Sequence, residues 1–372
     1  MERLPLTILH VAAPAPAGGL ESVIRMLAAC QVARGHAVHA LLVMEPGDVP
    51  PLAEPLRASG VQVHVLEVGA RAYAAEWRAV RRLCRTIRAD IVHTHGYRPD
   101  IVAGLAARSL RLPFVSTVHG FIGGSRRGRI NEWVQIRALR RAAAAIGVSK
   151  AIVERLEREG VPRDRIHLVP NAWSSTARLL ERSAARAALG LGPDEFVVGW
   201  VGRLSREKGP DVLVAAVREL GDLPLRVSVI GDGPEGPGLR AQLQGDRASG
   251  RFIWHGAMAD ASQYFRAFDA YVLSSRTEGT PISLLEAMAA RVPVIATAVG
   301  GVPDVVDGDS AILVPTNDPA ALAAALRAVA NEPTAAHERA EVAYRRLETR
   351  FAAASWVDRH DAIYGAVVRP KD

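Results

Sequence analysis

Apolar residues in this chain fall into short β-branched runs, separated by longer stretches in which they recur with helical spacing. In the first half the runs are Thr7–Val11, Ala37–Val43, Val61–Leu66, Asp90–Thr94, Pro113–Val118, Ala144–Val148 and Arg165–Val169. Helical patterns fill the gaps, as at Leu20–Arg34, Ala74–Arg88 and Lys150–Glu159. Strands that alternate with covering helices predict an α/β fold with a doubly wound parallel sheet. The stretch 171–194 is rich in Ser, Ala and Arg, lacks a clear strand and reads as a linker, with room for one helix of its own.

The alternation then restarts at Phe196–Val201, Leu225–Ile230, Arg251–Trp254, Ala270–Leu273, Val294–Ala296 and Ala311–Leu313, with a helix over Asp211–Glu219. Two Rossmann-like units in series are expected, 1–172 and 173–351, facing each other across a cleft. The last helical pattern, 352–367, can return to the first unit. In such sheets ligands sit beyond the carboxyl ends of the strands, so the loops after each strand carry the candidate chemistry.

A chain of 372 residues is long enough for two cores. It has no apolar run of about 18 residues to span a bilayer, and its N-terminus is too polar for a signal peptide. Cys30 and Cys84 fall in helical patterns without metal spacing, which fits a reduced, cytoplasmic protein. The net charge of +7 is uneven: residues 1–172 hold 24 Lys and Arg against 14 Asp and Glu, and the remainder 22 against 25. The basic half suggests an anionic partner, whether a phosphorylated substrate, an acidic membrane surface or a nucleic acid.

The densest candidate site is Ser275-Arg276-Thr277-Glu278-Gly279-Thr280-Pro281-Ile282-Ser283-Leu284-Leu285-Glu286. Pro281 suits a first helical position and Thr280 a cap. The open N–H groups of the first turn make an anion cradle. Glu286, more than a turn further in, suits a diol such as a ribose. Anion cradle plus diol acceptor suggests a sugar nucleotide. Arg203 and Lys208, in Gly202-Arg203-Leu204-Ser205-Arg206-Glu207-Lys208-Gly209, follow a strand and can hold and neutralise a diphosphate. Gly18-Gly19, after the first strand, lets a backbone approach a ligand.

Gly231-Asp232-Gly233-Pro234-Glu235-Gly236 has the form of a dinucleotide fingerprint. Pro234 and Pro237 disturb its helix opening, and Trp254-His255 stands where an acidic residue belongs, so a nucleoside or phosphate loop of another kind is expected. His10, His93, His95 and His119 gather at strand ends. The spacing of His93 and His95 turns both the same way, one of them toward the cleft. His119 can donate to a substrate oxygen or act as acid or base. No third metal ligand is evident, and no metal is assigned. Asp307-Gly308-Asp309 reads as turn chemistry. The stretch from Gly123 through Arg129, running into Trp133, Ile136 and Arg137, fits an element that touches anionic lipid or grips a phosphorylated acceptor.

Together these stretches resemble glycosyltransferase family 4, retaining enzymes of the two-lobed GT-B fold. The resemblance rests on Gly18-Gly19-Leu20-Glu21, Thr117-Val118-His119-Gly120, Val148-Ser149-Lys150, Val169-Pro170-Asn171, Gly202-Arg203-Leu204 with Lys208-Gly209, Gly231 to Glu235, Glu278 to Glu286 and Gly300-Gly301-Val302-Pro303. It implies a nucleotide-sugar donor, UDP- or GDP-linked, bound by the second lobe. Glu286 would take the ribose; Arg203, Lys208, Gly19 and the N–H groups of Thr280–Ser283 the diphosphate; Glu278 and His119 the sugar, with Gly231 and Gly279 lining the site.

The resemblance also implies front-face attack guided by the leaving phosphate, and no cofactor or divalent metal. A saccharide acceptor, lipid-linked or phosphorylated, in envelope or exopolysaccharide assembly is the expectation. A small acceptor in solution, a sugar-nucleotide epimerase and a non-catalytic sugar-nucleotide binder are the alternatives. No nucleic-acid partner is expected. One departure is that Pro170-Asn171-Ala172-Trp173-Ser174 stands where the family often reads Pro-Asn-Gly-Val-Asp.

Overall fold

A computed structural model describes residues 5–14, 19–121, 126–174 and 178–368. The chain divides into two compact units, Met1–Asn171 with Ala353–Asp372, and Ala172–Ala352.

The first unit is a seven-stranded parallel sheet of order β3-β2-β1-β4-β5-β6-β7. Its strands are β1 Thr7–Ala12, β2 Ala37–Met44, β3 Gln62–Glu67, β4 Ile91–His95, β5 Phe114–Val118, β6 Ala144–Gly147 and β7 Ile166–Leu168. β1, β2, β4, β5 and β6 are buried along nearly their whole length, as central strands are, although β4 carries His93, Thr94 and His95. β1 is flanked by β2 and β4, so the winding direction reverses at β1 and opens a crevice beyond its carboxyl end. The Gly19–Ala33 helix buries the stripe Val23, Ile24, Leu27, Ala28 and Gln31. Helix Ala353–Val367 belongs to this unit and is tied to the Gly19–Ala33 region by Arg34, whose guanidinium reaches Asp358 at 2.7 Å and Asp361 at 2.8 Å.

The second unit is a six-stranded parallel sheet of order β10-β9-β8-β11-β12-β13. Here the strands are β8 Val197–Val201, β9 Arg226–Ile230, β10 Phe252–Gly256, β11 Ala270–Leu273, β12 Val294–Thr297 and β13 Ile312–Val314. β8 and β11 are neighbours across the reversal of strand order, so the loops after them share one edge.

The stretch 171–194 is not a mere linker. It contains a helix, Arg182–Ala188, and sends Ala185, Leu189 and Leu191 into the second unit's core. Arg186 goes with them, its side chain 3% exposed and paired with Asp269 at 2.8 Å. Its remaining N–H groups donate to the carbonyls of Gly192, Pro193, Glu195 and Ala267. A composition that reads as surface is here a buried clasp, because a guanidinium with every hydrogen satisfied can be enclosed. Among the described residues no helix is long and apolar enough to cross a membrane.

Candidate functional site

In the second unit the stretch after β11 is folded back onto the loop after β8. Lys208 Nζ donates to Glu278 Oε1 at 2.7 Å, and Ser275 Oγ donates to the same oxygen at 2.6 Å. The Glu278 side chain is 5% exposed and that of Lys208 29%. A carboxylate so buried needs its charge met, and the pair does this. Lys208 has three hydrogens and spends one here.

The approach is set by two glycines. Gly209 has φ 61°, and a Cβ there would stand 2.1 Å from the Ser274 carbonyl oxygen. Gly300 has φ 54°, and a Cβ would stand 2.0 Å from the Glu278 carbonyl oxygen. Both positions demand a left-handed backbone and close contact, which only glycine allows. Ser274 completes the junction, with its hydroxyl donating to Gly209 O at 2.7 Å and accepting from Trp200 Nε1 at 3.2 Å.

The helix after Glu278 runs Ile282–Ala289 with Pro281 as its N-cap residue, and no side chain caps it. The N-cap residue is thus Pro281 and not Thr280, and Pro281 precedes the helix instead of opening it. Pro281 also has no N–H to offer, so the cradle's donors begin at Ile282 and Ser283. Ser283 Oγ is anchored by the buried Tyr271 hydroxyl at 2.7 Å. Glu286 lies half-buried on this helix, past its first turn. Gly279 and Thr280 form the bend that leads in. Arg203 is exposed, at the edge beyond β8.

Gly231 N donates to Gly256 O at 2.7 Å, and Leu204 N to Asp232 O at 2.9 Å, so the loops after β8 and β9 are laced together. The prolines there do not block a helix as expected: Gly236–Leu243 is helical with Pro237 in its first turn, where a missing N–H is no loss.

The sequence reading missed the support of this loop. Arg276 forms a fork with Asp211, at 2.8 and 2.6 Å, donates to Arg206 O at 2.7 Å and reaches Asn317 Oδ1 at 2.6 Å. It thereby holds the segment that carries Lys208. Its position within the Glu278 stretch was the available signal. Asp307 is a turn residue that accepts from Ser310 and pairs with Arg346 at 2.6 Å.

In the first unit four histidines come together, His10 within β1, His93 and His95 within β4, and His119 just past the end of β5, so only His119 lies beyond a strand end. Parallel register sets His10 beside His93, and His95 beside Thr117. His10, His93 and His95 are at most 1% exposed, so neither member of the His93 and His95 pair faces solvent. His119 is partly exposed, at the outer end of the group. Burial and the neighbouring rings push all four toward neutrality: His10 and His119 fall to about 4, His93 and His95 well below the usual range.

Ligating atoms of His10, His93 and His95 lie within 4.8 Å of one another, which supplies the third histidine that a metal would need. Each ring is nevertheless hydrogen-bonded within the protein: His10 to His95 and Gln31, and His93 to Tyr364 and Thr117. The group is satisfied as a polar network. Gln31 and Tyr364 were missed in the sequence, although Gln31 is a lone polar side chain in an otherwise apolar buried stripe. Gly19 begins its helix and is exposed; Gly18 and residues 122–125 lie outside the described residues.

Residues 17–173 match the family model described as Glycosyltransferase Family 4, and residues 195–332 that described as Glycosyl transferases group 1. The chain is 30% identical over 354 residues to D-inositol 3-phosphate glycosyltransferase of Geodermatophilus obscurus, covering 84% of this chain and 78% of that one. It is 29% identical over 280 residues to the putative teichuronic acid biosynthesis glycosyltransferase TuaC of Bacillus subtilis, covering 72% and 68%. Among solved structures it is similar to Anabaena Alr3699/HepE in complex with UDP and glucose. There the TM-score is 0.85 at 20% identity, over 97% of this chain and 100% of that one.

Proposed function

This chain belongs to glycosyltransferase family 4, with the GT-B fold, and from that premise we propose that it is a retaining hexosyltransferase using a UDP- or GDP-sugar. The observation that carries the reading is the Lys208–Glu278 pair beside the open start of the Ile282–Ala289 helix, with Glu286 on that same helix. Lys208 stands against the short segment that carries the N–H groups and Glu286, and a nucleoside diphosphate carries the complementary groups.

In this reading Glu286 accepts from the ribose hydroxyls. Arg203, the remaining hydrogens of Lys208 and the N–H groups at Ile282 and Ser283 take the diphosphate. These donors stabilise the charge that grows on the leaving phosphate as the anomeric C–O bond breaks. Glu278, whose Oε1 is committed to Lys208 and Ser275, offers Oε2 to a sugar hydroxyl. His119 is the proposed sugar contact of the first unit. The acceptor oxygen bonds to the anomeric carbon on the face the phosphate leaves, and its proton passes to a phosphate oxygen. No protein nucleophile and no metal take part.

The proposed acceptor is a phosphorylated or lipid-linked saccharide at an anionic surface. The first unit's basic excess supports this, as does its helix Arg126–Leu139, where Ile130 is 63% and Trp133 57% exposed. Arg137 stacks 3.8 Å from the Trp133 ring, so apolar and cationic groups share the patch. A second reading is a small phosphorylated acceptor free in solution. The name of the Geodermatophilus obscurus relative, an enzyme of D-inositol 3-phosphate, favours it.

A thermal-shift screen against UDP, GDP, ADP and their sugars tests the donor. A ligand bound only by the folded state raises the midpoint in proportion to its affinity. A midpoint that no nucleotide or nucleotide-sugar moves contradicts the donor reading.

A further inference from the structure

His10, His95 and His119 form a chain of hydrogen bonds that begins at Gln31. Gln31 Nε2 donates to the Tyr364 hydroxyl at 3.1 Å, and Gln31 Oε1 lies 2.7 Å from His10 Nε2. A carbonyl oxygen only accepts, so the proton of His10 sits on Nε2 and its Nδ1 is bare. That bare nitrogen is 3.0 Å from His95 Nε2, which must then donate. His95 Nδ1 is bare in turn and lies 3.4 Å from His119 Nε2, which donates to it. The outer nitrogen of His119, Nδ1, is left with a lone pair.

The second branch agrees with the first. Tyr364, having accepted from Gln31, gives its own hydrogen to His93 Nδ1 at 2.5 Å, and His93 Nε2 donates to Thr117 Oγ1 at 2.8 Å.

We propose that Gln31, acting through His10 and His95, is a positioning residue that fixes the tautomer of His119, so that this ring presents Nδ1 as a hydrogen-bond acceptor. Turning the Gln31 amide end for end would reverse every bond along the chain and make Nδ1 of His119 a donor. The assignment therefore has a sign, set by a side chain three hydrogen bonds away. Its chemical consequence is that His119 receives a hydrogen from a hydroxyl, as a sugar provides, and does not donate one. That consequence rests on the reading of His119 as a sugar contact; the tautomer itself does not. The chain works only with uncharged rings, and their burial keeps them so.

The ring ¹⁵N resonances of the full-length protein test this, because bare and protonated imidazole nitrogens resonate far apart. In the unaltered protein His119 should show a bare Nδ1 and a protonated Nε2. The opposite pattern, or a mixture of both, overturns the proposal. Two variants extend the test. Gln31→Met removes the control, so His119 should become a mixture of tautomers. Gln31→Glu still accepts from His10, so His119 should keep its pattern while Tyr364 and His93 reverse. An unchanged His119 in Gln31→Met also overturns the proposal.

Activity separates this from the functional reading. Under that reading Gln31→Met lowers kcat/KM for the donor about tenfold and Gln31→Glu restores it. A tautomer change without loss of activity leaves the relay standing and removes His119 from the sugar site.

Discussion

Lys208 Nζ and Glu278 Oε1 are 2.7 Å apart, although 70 positions separate them in the chain. They meet because β8 and β11 are neighbours at the point where the strand order reverses. The pair binds two loops into one unit and gives a nearly buried carboxylate its hydrogen-bonding partner. It also places a cation with hydrogens to spare beside the open start of a helix.

Lys208→Ala should lower turnover about tenfold or more, the loss expected for a charge withdrawn from a leaving group. It should also destabilise the fold, since Glu278 is left enclosed without its partner. Adding Glu278→Gln should recover much of the lost melting temperature and none of the turnover. A double variant as unstable as the single one would show that the pair is not coupled.

Glu286→Ala should weaken UDP or GDP binding by roughly tenfold to a hundredfold, as for hydrogen bonds to a charged group. Calorimetric titration of wild type and variant measures this. Equal affinities would remove Glu286 from the ribose site.

Arg186→Ala should cost about 3–5 kcal/mol, because it takes the guanidinium from four carbonyls and from Asp269, which among the described residues keeps only Arg182 and the Val197 N–H. Urea unfolding gives the value directly. A loss below about 1 kcal/mol would mean that the clasp is dispensable.

Acid should destabilise the protein from about pH 6.5 downward. His10, His119 and His360 are held at about 4, and His93 and His95 well below their usual range, by burial. Unfolded, each takes a proton near pH 6.5, so the unfolded state binds more protons from there down to about 4. Stability is therefore present above pH 6.5 and is lost as pH falls through that window. Asp100 acts in the opposite sense. Burial raises it to about 6, so stability it lends at low pH is lost as pH rises toward 6. Five rings outweigh one carboxyl, and the melting temperature should drop steeply between about pH 6.5 and pH 5. A flat profile across that range would contradict the burial of the histidine group.

Vesicle flotation addresses the exposed Ile130 and Trp133. Binding should favour acidic over neutral vesicles, weaken with salt and weaken again in Trp133→Ala. Equal binding to both vesicle types removes the membrane part of the proposal and favours the acceptor free in solution.

Much of the architecture was legible in the sequence, because a strand buried on both faces needs an unbroken apolar run and a covering helix needs an apolar stripe. The thirteen strands among the described residues, in two parallel sheets, follow from that periodicity. Glu278, Glu286, Arg203 and Lys208 could be singled out because glycines, prolines and charges at strand ends have few other uses. Arg186 could not be read as a core residue, since nothing local says that carbonyls of 192, 193, 195 and 267 will converge on it. Nor could the dual hydrogen bonding of Glu278 be read, or the ring-to-ring chain from Gln31 to His119. Local pattern determined which segments form strands and helices, because those forces act within a few residues. Which polar side chains meet was decided by the pairing of strands distant in sequence. Burial then makes each such meeting obligatory, because an unpartnered polar group inside the fold would be too costly to keep.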